Sequence, residues 1–408
     1  MPTPKLHSQA VVATSGTAKS ESRYYVALDG LRAVAVMMVF CQHYGAAKAW
    51  IFGWGWTGVD VFFVLSGFLI TGILYDSQAR PHRYRDFYMR RTLRIFPLYY
   101  AVWLAILLLA PLAHWQWNWR WALWPAYVGN YARFLFLGGP GDPYQFDRLV
   151  FGPAVQHWFG SPMHLWIGHF WSLCVEEQFY LVWPFVVYKV RNRATLMKIS
   201  LGVILSMPLL RWLLSVVVSS PMLRMELFYR SLPTRLDALL IGGLVALCLR
   251  GPERHWLHGG RRWLLAATSI LFVIAYVVAV KILHLPFYGS ATNWVGIVGF
   301  TLIDLFCAGL ILECIHPGSI LGRALSLGPL RNLGMVSYGF YVFHDLLHDF
   351  FAFFATRFFP QQAFAATIVF ALLGTVAIST ASYQLLERPL LRLKDRFTNQ
   401  VHRTPLSS

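Results

Sequence analysis

Charge is scarce in this chain, and acidic charge is scarcer still. Of 408 residues 13% are charged, with 35 Lys and Arg against 18 Asp and Glu. Soluble proteins carry about a quarter of their residues as charges, so the balance argues against a soluble fold of this size. Long polar stretches are missing as well. Apolar runs recur from residue 24 to residue 386 with no linker between them, and a length that would otherwise suggest two or three soluble domains reads as one integrated membrane domain. Cysteine is sparse. Cys41, Cys174, Cys248, Cys307 and Cys314 are odd in number, lack CxxC spacing and mostly fall inside apolar runs, as small buried hydrophobes do and as disulfides or a zinc site do not. No h-region with a small-residue cleavage site opens the chain, so residues 1–22, rich in Ser, Thr and Ala, are expected to be a disordered cytoplasmic tail. GxSxG, GxxxxGK[ST] and a GxGxxG after a strand are all absent, which removes support for a serine hydrolase, a P-loop NTPase and a Rossmann enzyme. Without a 20- to 50-residue repeat, a repeat-built transporter lacks support too.

What is present is hydrophobicity, at 57% of residues. A run of about 20 apolar residues crosses the hydrocarbon core as a helix. Ten runs qualify, roughly 24–46, 55–75, 95–113, 165–188, 197–218, 233–250, 263–283, 293–315, 335–355 and 364–386, predicting an all-α membrane bundle. The net charge of +17 would suggest nucleic acid in a soluble protein, but here it points to basic cytoplasmic loops, with no nucleic-acid partner expected. Placing both termini in the cytoplasm puts 25 of the 35 basic residues on that side, as the positive-inside rule requires. The longest outside connection, about 114–164, opens with Trp115, Trp117, Trp119, Trp121 and Trp124 and contains a Gly-Gly-Pro-Gly-Asp-Pro turn at 138–143. The tryptophans suit an interfacial belt or contact with a sugar.

Ionisable groups within spans are costly and mark functional positions by default. Arg32 and His43 are eleven residues apart in the first span, three turns plus about 20°, so they share a face at about 16 Å of axial separation. Lipid snorkelling of Arg32 and an interfacial hydrogen bond to His43 are the structural alternative. Arg91 and Arg94, at i and i+3, present two guanidinium forks suited to a phosphate-rich ligand, or else to anchoring the chain at the membrane edge. His169 and Glu176 share a face of the fourth span, where Glu176 and Glu177 resist explanation by packing alone; pairing with Arg235 or Arg32 is the structural alternative. Arg235 and Asp237 are read as structural, paired with each other or across helices. The ninth span carries His344, Asp345, His348 and Asp349. His344 with Asp349 matches HxxxxD, and His344 with His348 has metal-pair spacing, but no third ligand accompanies them, and a helix-end cluster facing an outer cavity is the better reading.

Taken in order, LDGLRAVAVMMVFCQH (28–43), GVDVFFVLSGFLI (58–70), RRTLRIFPLYY (90–100), HFWSLCVEEQFYLVWP (169–184), RLDALLIGG (235–243), SYGFYVFH (337–344) and ERP (387–389) resemble the acyltransferase-3 family of multi-pass membrane O-acyltransferases, many of which act on polysaccharides. The resemblance covers the chain from first span to last. It implies an acyltransferase domain over residues 23–388, a cytoplasmic tail at 389–408 and residence in the bacterial inner membrane. It implies acetyl-CoA or another acyl-CoA as donor, bound by Arg32, Arg91 and Arg94, with no metal. The acceptor would be a glycan or lipid-linked sugar. His43 falls on the family's histidine and would act as general base, with Glu176 or His169 orienting it or binding the sugar, and Ser172, Ser66 or Tyr341 stabilising the oxyanion. Some members carry an SGNH-type domain after the last span; none follows here, so a second relay step would need a separate partner among polysaccharide-biosynthesis proteins. A small-molecule acceptor such as a macrolide, or transport without covalent chemistry, are the competing functions.

Overall fold

The described part of each apolar run is mostly helical, and the chain enters several of those helices at recognisable caps. In the computed structural model, which describes residues 25–45, 54–115, 119–132, 134, 145–160, 162–282 and 295–393, the order is α1 (Val26–Gly45), α2 (Thr57–Asp76), α3 (Arg83–Ala113), β1 (Arg148–Val150), α4 (Pro153–Phe159), β2 (His164–Trp166), α5 (Trp171–Val190), α6 (Arg193–Val217), α7 (Pro221–Arg230), α8 (Leu232–Cys248), α9 (Arg254–Tyr276), α10 (Phe300–Ile315), α11 (Ile320–Leu325), α12 (Gly328–Met335), α13 (Ser337–Leu346), α14 (His348–Phe358), α15 (Ala363–Ser382) and α16 (Arg388–Leu393). The Asn192 side chain accepts from the Thr195 N–H to start α6, and Ser220 and Ser319 cap α7 and α11 in the same way, each satisfying a backbone donor that a helix start leaves orphaned. The strands β1 and β2 pair antiparallel with Leu149 opposite Leu165.

Among the described residues, seven helical segments are long and apolar enough to cross a membrane: α1, α2, α3, α6, α7 with α8, α10 with the π-helical turns before it, and the segment from Pro360 to Leu393. The other three expected spans are present as helices of more polar or broken character. α5 carries Glu176, Glu177 and Gln178. α9 opens on Arg254, Arg261 and Arg262. The run at 335–355 is divided at Leu347 (φ −102°, ψ 16°) into α13 and α14. One boundary differs more. Hydropathy placed the third span at 95, yet α3 begins at Arg83, because the basic stretch ahead of the apolar run is helical in its own right and buries Phe87. The expected tail at 1–22, the turn at 138–143 and Trp117 lie outside the described residues, as does the expected tail at 389–408 beyond residue 393; its first residues, 389–393, belong to the helix α16.

The core is built around α2. On its flank α8 packs at backbone distance, because Gly67 and Gly242 lack side chains; a β-carbon on either would fall onto the carbonyl of Leu239 or Val64 across the interface. Such small-residue crossings let helices associate in lipid, where apolar side chains gain nothing by leaving the solvent. Buried charges tie the same layer. Arg235 pairs with Asp60, and the Arg211 guanidinium donates to Asp237 at 2.6 Å while Thr301 donates to the same carboxylate at 2.6 Å. All four charged residues are fully buried. Cross-helix pairing of Arg235 and Asp237, rather than pairing with each other, is therefore what holds α2, α6, α8 and α10 in register. The five cysteines are free thiols.

Candidate active site

Two clusters of polar side chains occupy opposite ends of the bundle interior, and α1 runs from one to the other. The first gathers at the start of α1 and α3. Arg32, Arg91 and Arg94 all line a cavity of about 270 Å³ together with Asp29, Ser66, Ser172, Glu176, Ser337, Tyr338 and Tyr341. The two guanidiniums on α3 are not equivalent. Arg91 stacks over the Tyr180 ring at 3.7 Å and stands 4.0 Å from Glu176 and 3.8 Å from Glu177, so its fork is engaged by α5. Arg94 is exposed to the cavity and makes no hydrogen bond or ion pair among the described residues. Arg32 touches Asp29 at 3.1 Å. Of the expected phosphate-binding trio, Arg94 is open to the cavity, Arg32 pairs with Asp29 beside it, and Arg91 is held against α5.

The second cluster lies at the other end of α1. His43, on the last turn of that helix, places Nδ1 2.9 Å from the Asp345 carboxylate, with 27% of its side chain exposed. His169 approaches the other oxygen of Asp345 at 3.4 Å and pairs through Nε2 with the Val342 carbonyl at 3.1 Å. The His344 ring lies 4.9 Å from His43 and 5.1 Å from His169. It is held through Nδ1 by the Tyr341 carbonyl at 2.7 Å, while Tyr44 donates to the His344 carbonyl at 2.6 Å. The two histidines predicted to work together, His43 and His169, do meet, with ring centroids 6.5 Å apart. Glu176 belongs elsewhere. Its carboxylate accepts from Ser66 and faces Arg91, and the carboxylate beside His43 is that of Asp345. Nor do Glu176 and Glu177 pair with Arg235 or Arg32; Arg91 takes that place.

Asp345 was visible in the sequence only as part of a helix-end cluster. An acid directly after a histidine in an otherwise apolar span was the available signal. The HxxxxD and metal-pair spacings both assumed one continuous helix, and the break at Leu347 separates their members. His344 joins the His43 cluster, whereas Asp349 accepts from Trp166 Nε1 at 2.8 Å, pairs with His164 Nδ1 at 2.7 Å and contacts His348 at 3.2 Å. Between the two ends, Ser172 and Tyr341 share a 2.6 Å hydrogen bond. They line the cavity and Tyr341 also donates to the His169 carbonyl at 2.8 Å. The cavity therefore reaches to within one layer of side chains of the histidines.

A carboxylate fixed on Nδ1 of an imidazole leaves Nε2 as the free nitrogen, the arrangement that makes histidine a proton acceptor near neutral pH. Of the tryptophans, Trp115 and Trp124 are buried, Trp124 donating to the Phe146 carbonyl at 3.0 Å, which makes them core; Trp119 is 71% exposed.

Comparison with known proteins identifies the family. Residues 25–384 match the Acyl_transf_3 family, described as an acyltransferase domain. The chain is similar to YrhL of Bacillus subtilis (strain 168), 33% identical over 79% of this chain and 48% of that protein. It is similar to the peptidoglycan O-acetyltransferase OatA of Listeria monocytogenes, 30% identical over 80% of this chain and 50% of that protein. It is also similar to the O-acetyltransferase OatA of Staphylococcus aureus, 26% identical over 90% of this chain and 57% of that protein. The chain thus spans about half the length of the curated relatives it matches. No solved structure matches it.

Proposed function

The chain belongs to the acyltransferase-3 family, and from that premise we propose that it is a membrane-embedded O-acyltransferase moving an acetyl or other acyl group from acyl-CoA to a hydroxyl of a cell-wall or other exported glycan. The observation that carries the proposal is the pairing of His43 with Asp345 at the far end of a helix whose near end opens, beside Arg32 and Arg94, into a cavity. In this reading the arginine end faces the cytoplasm of a bacterial inner membrane. The donor's phosphates sit on Arg94 and Arg32, and its thioester arm runs up the cavity along α1, a helical rise of about 16 Å from Arg32 to His43.

The acceptor hydroxyl oxygen attacks the thioester carbonyl. A C–O bond forms as the C–S bond breaks, and the hydroxyl proton passes to His43 Nε2 and then to the departing CoA sulfur. Asp345 holds the ring in the tautomer that accepts this proton. The hydroxyls of Ser172 and Tyr341, on the wall between cavity and histidines, are placed for the oxyanion; their mutual hydrogen bond has to part for the thioester to reach His43. Arg235 with Asp60 and Arg211 with Asp237 are ion pairs between helices, which supports a structural role for these four charges over a transport path. His43→Gln is the deciding variant, since glutamine keeps size and hydrogen bonding but cannot take the proton. Acetyl transfer should be lost, a general base contributing about 10² to 10⁴ in rate, with membrane insertion and donor binding retained. Substantial transfer by a correctly inserted His43→Gln protein removes the base from this mechanism.

A further inference from the structure

His169 is buried and faces a partner at each ring nitrogen, the Val342 carbonyl on one side and Asp345 on the other. It stands in the three-residue turn Gly168–Phe170 that joins β2 to α5, so the place of its ring depends on the path of a short connection. Two hydroxyls hold that connection from one side, Tyr341 donating to the His169 carbonyl at 2.8 Å and Ser172 at 3.4 Å. Asp147, the residue before β1, holds it from the other. The Asp147 carbonyl accepts from the backbone N–H of Ile167 at 2.7 Å and from that of Gly168 at 2.9 Å. Its side chain lies so close to Gly168 that a β-carbon on the glycine would come within 2.8 Å of it.

The group that fixes Asp147 comes from 83 residues further along the chain. Arg230, at the end of α7, donates one guanidinium N–H to each oxygen of the Asp147 carboxylate, both at 3.1 Å, and its Nε stands 3.2 Å from Glu226. Arg230 is anchored in turn. Its carbonyl accepts from Asn130 Nδ2 at 3.0 Å, and Asn130 Oδ1 accepts from Gln178 of α5 at 2.8 Å. Asp147, Glu226 and Asn130 are all buried. A buried ion pair is a poor source of net stability, because taking both charges out of water offsets their attraction. What a bidentate fork supplies is a fixed relative position, and the position fixed here is that of the two backbone N–H groups directly ahead of His169. We propose that Arg230 and Asp147 are positioning residues for acyl transfer: they form a clamp that sets the His169 ring against Asp345, and through it the carboxylate that holds His43. The inference rests on the reading of His43 as the base and extends the apparatus behind it to the turn that carries His169. A clamp that only stabilises the fold is the competing role.

The test uses membranes of the native host with the full chain, each variant replacing the original gene, and measures CoA thiol release against acetyl-CoA concentration per folded protein. Asp147→Asn keeps the size of its side chain, and Arg230→Lys keeps the charge that faces Asp147 and Glu226 while losing the fork. Each should lower the maximal rate by about 10- to 10²-fold, the loss that an ångström of misplacement can cause, with the acetyl-CoA concentration for half-maximal rate held within about twofold. Gly168→Ala keeps every charge and presses a β-carbon onto Asp147, and should give the same split. His169→Gln alone should lose about as much as the clamp variants, and adding Asp147→Asn to it should cost less than about threefold more, because the clamp then has nothing left to position. Losses that multiply in the double variant overturn the proposal. So do three clamp variants that are folded in smaller amount but transfer at the unsubstituted rate per folded molecule, which assigns the clamp to stability alone. An unsubstituted chain that releases no CoA overturns the acyltransferase reading itself, and the positioning role with it.

Discussion

Replacing Asp345 by Asn changes one oxygen for a nitrogen and should cost nearly as much as removing the base. In the native pair the carboxylate accepts from His43 Nδ1 at 2.9 Å, which fixes the proton on Nδ1 and leaves Nε2 with its lone pair. An amide rotated to donate its N–H to Nδ1 would stabilise the opposite tautomer, with the proton on Nε2, and the ring could then no longer accept from a hydroxyl. The loss of charge removes the other half of the effect, the stabilisation of the imidazolium that forms during transfer. The carboxyl-to-amide change in the serine protease triad lowers kcat about 10⁴-fold by this tautomer effect. Here Asp345 is shared with His169 at 3.4 Å and His43 is partly open, so a reduction of about 10² to 10⁴, or roughly 3 to 5 kcal/mol of barrier, is expected. The assay is alkali-released acetate on the surface glycan of cells expressing each variant, read beside release of CoA thiol in membrane vesicles. Thermal shift by acetyl-CoA serves as the control for donor binding, which should be unchanged because Arg94 and Arg32 lie at the other end of α1. An Asp345→Asn protein that inserts normally and acetylates within about threefold of wild type would leave less than 1 kcal/mol for the pair and refute the orienting role.

Arg94→Lys should raise the acyl-CoA concentration needed for half-maximal rate by about tenfold, since an ammonium cannot supply a bidentate fork; an unchanged requirement would move the donor site elsewhere. Arg91→Lys should act differently, lowering the melting temperature in detergent, because the stacking on Tyr180 and the bridge to Glu176 and Glu177 are lost; a shift in donor requirement with no change in melting would contradict the bracing role. Arg235→Leu should destabilise by about 3 to 5 kcal/mol by stranding Asp60 in the core, and Arg235→Leu with Asp60→Leu should recover most of the loss in a denaturation series; equal instability of both proteins would argue against the pair. For topology, a thiol reagent that cannot cross the membrane should label a cysteine placed at Trp119 in intact cells and one placed at Arg85 only after permeabilisation, and the reverse pattern would invert the bundle.

The outline of the fold was legible because hydropathy and helix length are local properties. Each of the ten expected spans overlaps a helix, though the run at 165–188 opens on β2 and the run at 335–355 is divided at Leu347, and α1 placed Arg32 and His43 on one face by spacing alone. What escaped was set by tertiary contact. That Glu176 would meet Arg91 and Ser66, leaving Asp345 for His43, depends on how α5 and α13 pack against α1 and α3, and neither partner is near in sequence: Glu176 lies 110 residues from Ser66. The break at Leu347 escaped for a different reason. Its flanking residues, Leu346 and His348, carry no glycine or proline to announce it, and it is read only from the backbone angles. Arg211, buried and central, carried no signal in the sequence because its acidic partner comes 26 residues later on α8.

The ion pair between Asp60 and Arg235 joins residues 175 apart in the chain, and this separates them in time as well as in sequence. At synthesis rates of about 5 to 20 residues per second, Arg235 emerges about 10 to 35 s after Asp60. For that interval α2 has to lodge in the bilayer with an acid it cannot yet neutralise. An acidic residue at the centre of an inserting helix costs about 2.5 to 3.5 kcal/mol; Asp60 stands in the first turn of α2, where the cost is lower, and α2, whose apolar window has a mean hydropathy of 1.9, is apolar enough to absorb it. α8 arrives later as the more awkward passenger, carrying Arg235 and Asp237 together, but it finds Asp60 and Arg211 already in place. The order of the helices along the gene thus brings α8 in after the two helices that supply its counter-charges, and a circular permutant that translated α8 before α2 and α6 would ask the insertion machinery to accept both charges at once with nothing to receive them.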